Sequence, residues 1–424
     1  MKYKNNIYRV VCAIVLSLLS PLSYAYDFEI DGNYYTLIST SERTVAFAGT
    51  TLSGKLVIPE KIVISNKEFT VTSIEGGWMK KTGENVKSIV VPKTVTILER
   101  SCFYGGQFEE ISLPSTLTEI GEMAFQNCSQ LKEIEIPNNV TSIGHFAFHG
   151  CSSLTHIVLP KSERCSIGAA AFCSGPQPKG KLIIPAGIYF ANDYHSNGDH
   201  YVAFDDCSEL DSLIFEDSNA HLYAYNGILF TSRKTRSSEF GQCNNLKYVY
   251  IGRPAIHYWG SDDYGNHTPV FAKVVEYGDK CEIQYSYRNV YTDFATGALE
   301  KITFGKKLSN ISSYTNSGNL VEVYMRNETP PSASVFSNYT YIHGTLYVPK
   351  GTLKVYQEAD VWKEFWNIEE YDVPEYPTGI RPVSVQEEKV LLGIYDINGI
   401  KHDIPVKGLN IYRYKDGHVK KNVK

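Results

Sequence analysis

His145 and His149 stand four apart in GHFAFHG, a spacing at which two imidazoles on a helical face can share one metal ion. No glutamate follows the first histidine, so the metal-and-base pattern of the zinc proteases is missing, and the flanking residues read as a short surface turn. His195, Asp199 and His200 in NDYHSNGDHY fall in a stretch rich in Asn and Gly, which reads as loop rather than as a ligand set. The chain has no GxSxG turn to present a nucleophile and no glycine loop to cradle phosphate. It has no Cys-x-x-Cys pair and no dinucleotide fingerprint either. Carboxylates are plentiful, but nothing in their spacing sets two of them at a catalytic separation. The expectation is a chain without catalytic residues, metal or cofactor, and not an enzyme.

The elements that would position any site repeat along the chain. IGEMAFQNCSQLKEIEIP, from Ile120 to Pro137, aligns without gaps with IGHFAFHGCSSLTHIVLP, from Ile143 to Pro160. Short apolar runs end at Pro59, Pro92, Pro114, Pro137, Pro160 and Pro185, and looser copies end at or just before Glu216, Gly252, Gly278, Gly305, Arg326 and Pro349. The intervals have a base period of 22 to 23 residues with scattered expansions, the mark of stacked supersecondary units. In LKEIEIP, Ile134 and Ile136 share one face of a strand while Glu133 and Glu135 take the other. Leu131, Ile120, Ala124 and Phe125 supply the remaining apolar volume of the turn. One turn cannot bury its own apolar side, so the turns must stack, and strands in successive turns must run parallel.

The unit IGxxAFxxCSxLxxIxIP resembles the BspA-type leucine-rich repeat of secreted and surface proteins of bacteria. The resemblance runs from Tyr26 to about Tyr371, is most specific across Thr118–Pro160 and loosens after Gly187. YDFEIDGNYYTLIS is similar to the family's N-terminal capping β segment, and the stretch from Pro330 to Glu369 to its closing turn and helix. The resemblance implies a leucine-rich repeat solenoid with a one-sided parallel β-sheet, no cofactor, and a role in adhesion or recognition. The fold expected is that solenoid, with one short strand per 22–23-residue turn, a β-rich N-terminal cap and a small C-terminal β tail. Its segments are a signal peptide over 1–25, the cap over 26–73, repeats with insertions over 74–372, and a linker with the tail over 373–424.

Within this frame Cys128 and Cys151 hold one repeat position, and Cys207 and Cys243 have the same context, so all four are expected to stack as buried thiols about 4.8 Å apart. Cys165 and Cys173 fall outside that ladder and form the candidate disulfide of an exported chain. Counting back two residues from the strand ends gives Val158, Ile183, Ile214, Tyr250, Tyr324 and Tyr347, and the four-back position adds Tyr248. This row reads either as a semi-apolar concave face that binds a partner through tyrosine, or simply as good strand formers. The insertion between Arg253 and Phe271 adds His257, Tyr258, Trp259 and Tyr264 beside carboxylates, rings that would stack on a sugar or cover the core.

The 424 residues are 43% hydrophobic and 21% charged, which excludes a wholly disordered or collagen-like chain. The net charge of −5 gives no reason to expect nucleic acid as partner. Lys2, Lys4 and Arg9 precede the apolar run Val10 to Leu19, and Ser23-Tyr24-Ala25 offers a cleavage site, the three-part pattern of a secretory signal peptide. No later segment has the roughly 20 apolar residues of a membrane helix. The mature chain is therefore expected to be secreted or at the cell surface without a transmembrane helix. After Pro374, Pro377 and Pro382, strand-like runs alternate with Asn398-Gly399 and Asp416-Gly417 turns. This end resembles the short C-terminal β tails of exported bacterial proteins, some of them sorting signals, and reads either as a sorting or retention element or as a solvated extension. The function expected is capture of a host or neighbouring-cell protein or glycan. The alternatives are a structural envelope-associated protein without a ligand, and a glycan-processing enzyme with its site in the insertions.

Overall fold

The structure is a computed structural model. It describes residues 26–77, 79, 83–191, 203–204, 208–220, 222–223, 245–257, 272–285, 298–311, 318–333, 336–375, 391–395, 401–402, 409–414 and 419–423. Residues 1–25, Cys207, Cys243, Tyr258, Trp259, Tyr264 and the His195–His200 stretch lie outside them. The chain divides into two compact units: Met1–Pro178 with Ile188–Asp206, and Lys179–Gly187 with Cys207–Lys424.

The first unit opens on a five-stranded sheet. Phe28–Ile30, Asn33–Ser39 and Thr44–Thr50 pair antiparallel in sequence, and Lys67–Ile74 then lies parallel to Thr44–Thr50 with Lys61–Ile64 at its far side. Tyr35, Val45, Phe47 and Val71 face its core by alternation, and a register shift opposite Val45 and Ala46 brings Ile74 in as well.

Repeating turns follow. Gly54–Val57, Val86–Val90 and Glu110–Ser112 pair in parallel, as do Glu133–Glu135 and His156–Val158. Ile134 and Ile136 are buried and Glu133 and Glu135 exposed, as the two-residue period requires. Each turn also adds a second strand of two or three residues, in the parallel order Ile188–Phe190, Cys165–Ile167, Ser142–Ile143, Glu119–Ile120, Ile97–Leu98. So short an element leaves too few residues for periodicity to single it out.

Between the two strands the chain bends twice through the left-handed region. Ser101, Met123, Phe146 and Ala170 take the first bend, and Gly105, Asn127, Gly150 and Ser174 the second. The buried phenylalanines Phe103, Phe125, Phe148 and Phe172 sit midway between these bends. Their N–H groups donate to the next turn, at Ala124, Ala147, Ala171 and Ala203 carbonyls, over 2.7–2.9 Å. The rings follow the same register and stack from Phe103 to Phe204 with centroids 4.7–5.2 Å apart. Gly144 is fixed by close approach, since a Cβ there would come 2.5 Å from the backbone N of Glu122 in the preceding turn.

The second unit is built on an eight-stranded parallel sheet. Its order is Gly180–Ile184, Leu210–Phe215, Tyr248–Ile251, Val274–Tyr277, Lys301–Phe304, Glu322–Met325, Thr345–Pro349, Asn367–Tyr371. Val249, Ile251, Val275, Tyr277, Ile302 and Phe304 point to the core along the central strands. Smaller parallel sheets complete the turns, one from Leu222–Tyr223, Ala255–His257 and Ile283–Tyr285, the other from Asn310–Ile311 and Ser332–Ala333. The helix Asn338–His343 is capped by Ser337, whose hydroxyl accepts from Thr340 N–H. Together with Leu353–Glu358 it belongs to a closing region whose aromatic core joins Phe336, Tyr356, Trp362 and Phe365. Leu391–Tyr395, Lys401–His402, Leu409–Tyr414 and Val419–Val423 form a separate four-stranded antiparallel sheet. No helix among the described residues is long and apolar enough to cross a membrane.

Candidate functional site

Strand pairing lines up the outward side chains of the eight-stranded sheet in a row. The register runs Ile183, Ile214, Tyr250, Glu276, Thr303, Tyr324, Tyr347, Glu369. One position earlier on each outward face lie Ser212, Tyr248, Val274, Lys301, Glu322, Thr345 and Asn367. Seven strand steps at ~4.8 Å span roughly 34 Å. The tyrosines singled out by spacing, Tyr248, Tyr250, Tyr324 and Tyr347, thus stand on one face of one sheet and are half-buried.

The rings of Tyr324 and Tyr347 are not open platforms. Tyr324 and Tyr347 stack on each other at 4.3 Å, and the Tyr371 ring meets both edge-on. The Lys301 ammonium lies 4.4 Å from the Tyr324 centroid and 3.5 Å from the Glu322 carboxylate. Burial and the neighbouring Glu322 push the Tyr324 hydroxyl well above its ordinary pKa, and burial raises Tyr371 to about 12. What the face offers is ring edges, hydroxyls and carboxylates. Tyr250 donates its hydroxyl to Asp217 at 2.6 Å and Tyr248 donates to Glu276 at 3.1 Å.

Two buried arginines brace the sheet from its strand ends. Arg253 donates to the carbonyls of Ile184, Pro185 and Ala186 at 3.0–3.1 Å, and burial lowers its pKa to about 10. Arg326 forms a two-pronged pair with Asp279, at 2.7 and 2.9 Å. Burial alone would raise the Asp279 carboxyl, but its bonds to Arg326 outweigh that, so it titrates below the ordinary carboxylate range.

Residues 72–195 match the BspA type Leucine rich repeat region, in six copies. These are BspA-type leucine-rich repeats. No curated protein matches the chain. Among solved structures, the pneumococcal vaccine antigen PcpA is similar over 82% of this chain and 98% of its own, with 17% identity and a TM-score of 0.39. A leucine rich cell surface protein from Faecalibacterium prausnitzii covers 84% of this chain and 96% of its own, at 16% identity and a TM-score of 0.34. A leucine-rich repeat protein from Bacteroides ovatus covers 82% and 100%, at 16% identity and a TM-score of 0.30.

Against this leucine-rich repeat frame several expectations need correcting. Ile214 stands in the tyrosine row but keeps only 6% exposure between Ile183 and Tyr250, so it has little to offer a ligand. Val158 is 38% exposed but lies on the two-stranded ladder of the first unit, not on the tyrosine sheet. The Cys165–Cys173 bridge is absent: both are buried thiols, with Sγ 3.7 Å from the Ser166 carbonyl and 4.0 Å from the Ala203 carbonyl respectively. Cys128 and Cys151 are buried thiols as the ladder argument expects, donating to the Phe103 and Phe125 carbonyls at 3.1 Å. Burial raises the Cys102, Cys128 and Cys281 thiols and takes Cys165 to about 12, which keeps them from acting as nucleophiles.

His145 Nδ1 accepts from the Ala169 N–H at 2.9 Å, a structural use of the ring. His257 lies on a strand in register with Tyr285, while Tyr258, Trp259 and Tyr264 are outside the described residues. Spacing alone missed Asp217, Glu276, Asp279 and Tyr371. The available signal was an arginine at the strand end, directly after the strand in VYMR, where most turns carry Pro or Gly, and one residue past the Gly in VYIGR.

Proposed function

We propose that the chain is a secreted or cell-surface binding protein that holds an extracellular protein or glycan on the outward face of the eight-stranded sheet. The observation that carries the reading is that Tyr250, Tyr324 and Tyr347 share one register row with Glu276 and Glu369, beside the row of Tyr248 and Glu322, on one face of one sheet. A preorganised face loses little conformational entropy on binding, and tyrosine supplies contact area and a hydroxyl from two rotatable bonds. Because the Tyr324 and Tyr347 ring faces are closed by stacking, contact runs through edges, hydroxyls and carboxylates. Surface location draws on the BspA-type repeats and on the signal-like leader. The test is an array of extracellular-matrix proteins and glycans probed with the mature chain and with Tyr248→Ala and Glu276→Lys variants. Capture by the parent and its loss in both variants supports the reading. Capture untouched by either variant overturns it.

A further inference from the structure

Two carboxylates near one end of the eight-stranded sheet are set apart by what holds them. Glu276 accepts from the Tyr248 hydroxyl and Asp217 from the Tyr250 hydroxyl, and neither acid pairs with a lysine or arginine among the described residues. Elsewhere along the sheet and its strand ends a carboxylate meets a cation: Glu300 with Lys273 at 3.0 Å, Glu322 with Lys301 at 3.5 Å and Asp279 with Arg326 at 2.7 Å. A neutral hydroxyl leaves a carboxylate its negative charge and further lone pairs to accept other donors.

Both acids serve one spot. A Cβ on Gly278 would come 2.5 Å from the Tyr250 Oη and 3.0 Å from the Asp217 Oδ1, so this pair overhangs the end of the strand Val274–Tyr277. Glu276 lies on that strand two residues before Gly278 and is the register neighbour of Tyr250. Val274, two residues further back, shares the outward face and is half-buried like Glu276. The patch thus joins two uncompensated negative charges to aliphatic surface on a preformed sheet.

Resting on the reading of this face as a recognition surface, we propose that its partner is a basic polypeptide segment, extended across the strands, whose arginine or lysine side chains meet Asp217 and Glu276. A guanidinium fork bonds a carboxylate through two N–H groups, and the aliphatic stems of Arg and Lys cover apolar surface such as Val274 while their heads reach the acids. An extended segment of about ten residues spans roughly 33 Å, enough to cross the sheet. Charge pairing of this kind governs association rate and salt sensitivity more than raw affinity.

The experiment is fluorescence anisotropy of a labelled peptide of about ten residues, alternating arginine with serine, titrated with the mature chain. The parent should bind at about 0.05 M salt and release most of the peptide at about 0.5 M, where the Debye length falls to roughly 4 Å. Asp217→Asn with Glu276→Gln keeps both tyrosine hydroxyls bonded and should weaken binding at least about tenfold with an unchanged melt. Glu110→Gln with Glu133→Gln removes the same charge from exposed strand positions of the first unit and should leave binding unchanged. A parent that does not bind at low salt overturns the inference. So does equal weakening by the two double variants, which would mean attraction to net charge alone. Spermine bound as tightly as the peptide also overturns it, since the patch would then take free polyamines. If the peptide does not bind while Glu276→Lys still abolishes capture on the array, the inference fails and the recognition reading stands. If peptide binding depends on Asp217 and Glu276 but the array captures nothing, the inference stands and the extracellular partner of that reading fails.

Discussion

Phe125 shows how a single side chain carries the repeat. It is wholly buried and stacked at 5.2 Å on Phe103 and 4.9 Å on Phe148, so truncation opens a gap in a continuous aromatic column. Phe125→Ala should destabilise the chain by about 3–5 kcal/mol in denaturant titration, and a loss under about 1 kcal/mol would mean the column does not carry load. Thiol chemistry checks the neighbouring positions. Cys102, Cys128, Cys151, Cys165, Cys173 and Cys281 should resist alkylation in the native chain and all react after denaturation without reductant. A peptide cross-linked through Cys165 and Cys173 would contradict this. The Arg326–Asp279 pair makes a pH-dependent contribution. The folded carboxyl titrates below its ordinary value of 3.8, so its stabilisation is full above that pH and is lost as pH falls through the lower, folded value. Asp279→Asn leaves the buried Arg326 without its counter-charge and should cost roughly 3 kcal/mol near neutral pH. Melts of the parent and variant should converge only as pH falls through that lower, folded value, and a gap that stays constant from neutral pH down through acid would refute the assignment.

At the scale of elements, the main strands were legible because alternation such as Ile134 and Ile136 against Glu133 and Glu135 marks a strand wherever one face is buried. The second strands were not, since Glu119–Ile120 or Ser142–Ile143 owe their place to the ladder and not to a pattern of their own. The same limit applies to the site. Counting back from strand ends placed Tyr250, Tyr324 and Tyr347 in one register row, but only coordinates show that Tyr324 and Tyr347 close each other's ring faces or that Ile214 is buried among its neighbours. Nor does spacing reveal that Cys165 and Cys173 occupy different ladder positions, one within a strand and one beside the Phe172 column. Close packing of strand ends is the cheapest test at this level. A Cβ on Gly305 would lie 2.0 Å from the Gly278 carbonyl, whereas one on Gly318 meets nothing within 4 Å. Gly305→Ala should destabilise by about 1–3 kcal/mol and Gly318→Ala by under about 0.5 kcal/mol. Equal effects would show that the strand ends are not in this contact.

For the molecule as a whole, the division of labour is between columns that hold the turns and a face that remains chemically distinct. Phe103 through Phe204, Arg253 and Arg326 act inside the two units or at strand ends. Tyr248, Tyr250, Asp217 and Glu276 stand on the outward side, where their removal leaves those columns intact. Stability and binding should therefore separate under mutation. The measurement that tests this most directly is the dissociation constant of the array-selected macromolecule for the parent and for Tyr248→Ala with Glu276→Lys, taken beside their melting curves. The account predicts a loss of affinity of at least about tenfold, or 1.4 kcal/mol, with the melt shifted by only a few degrees. Unchanged affinity, or a collapse of the melt that accounts for all the lost binding, would contradict it.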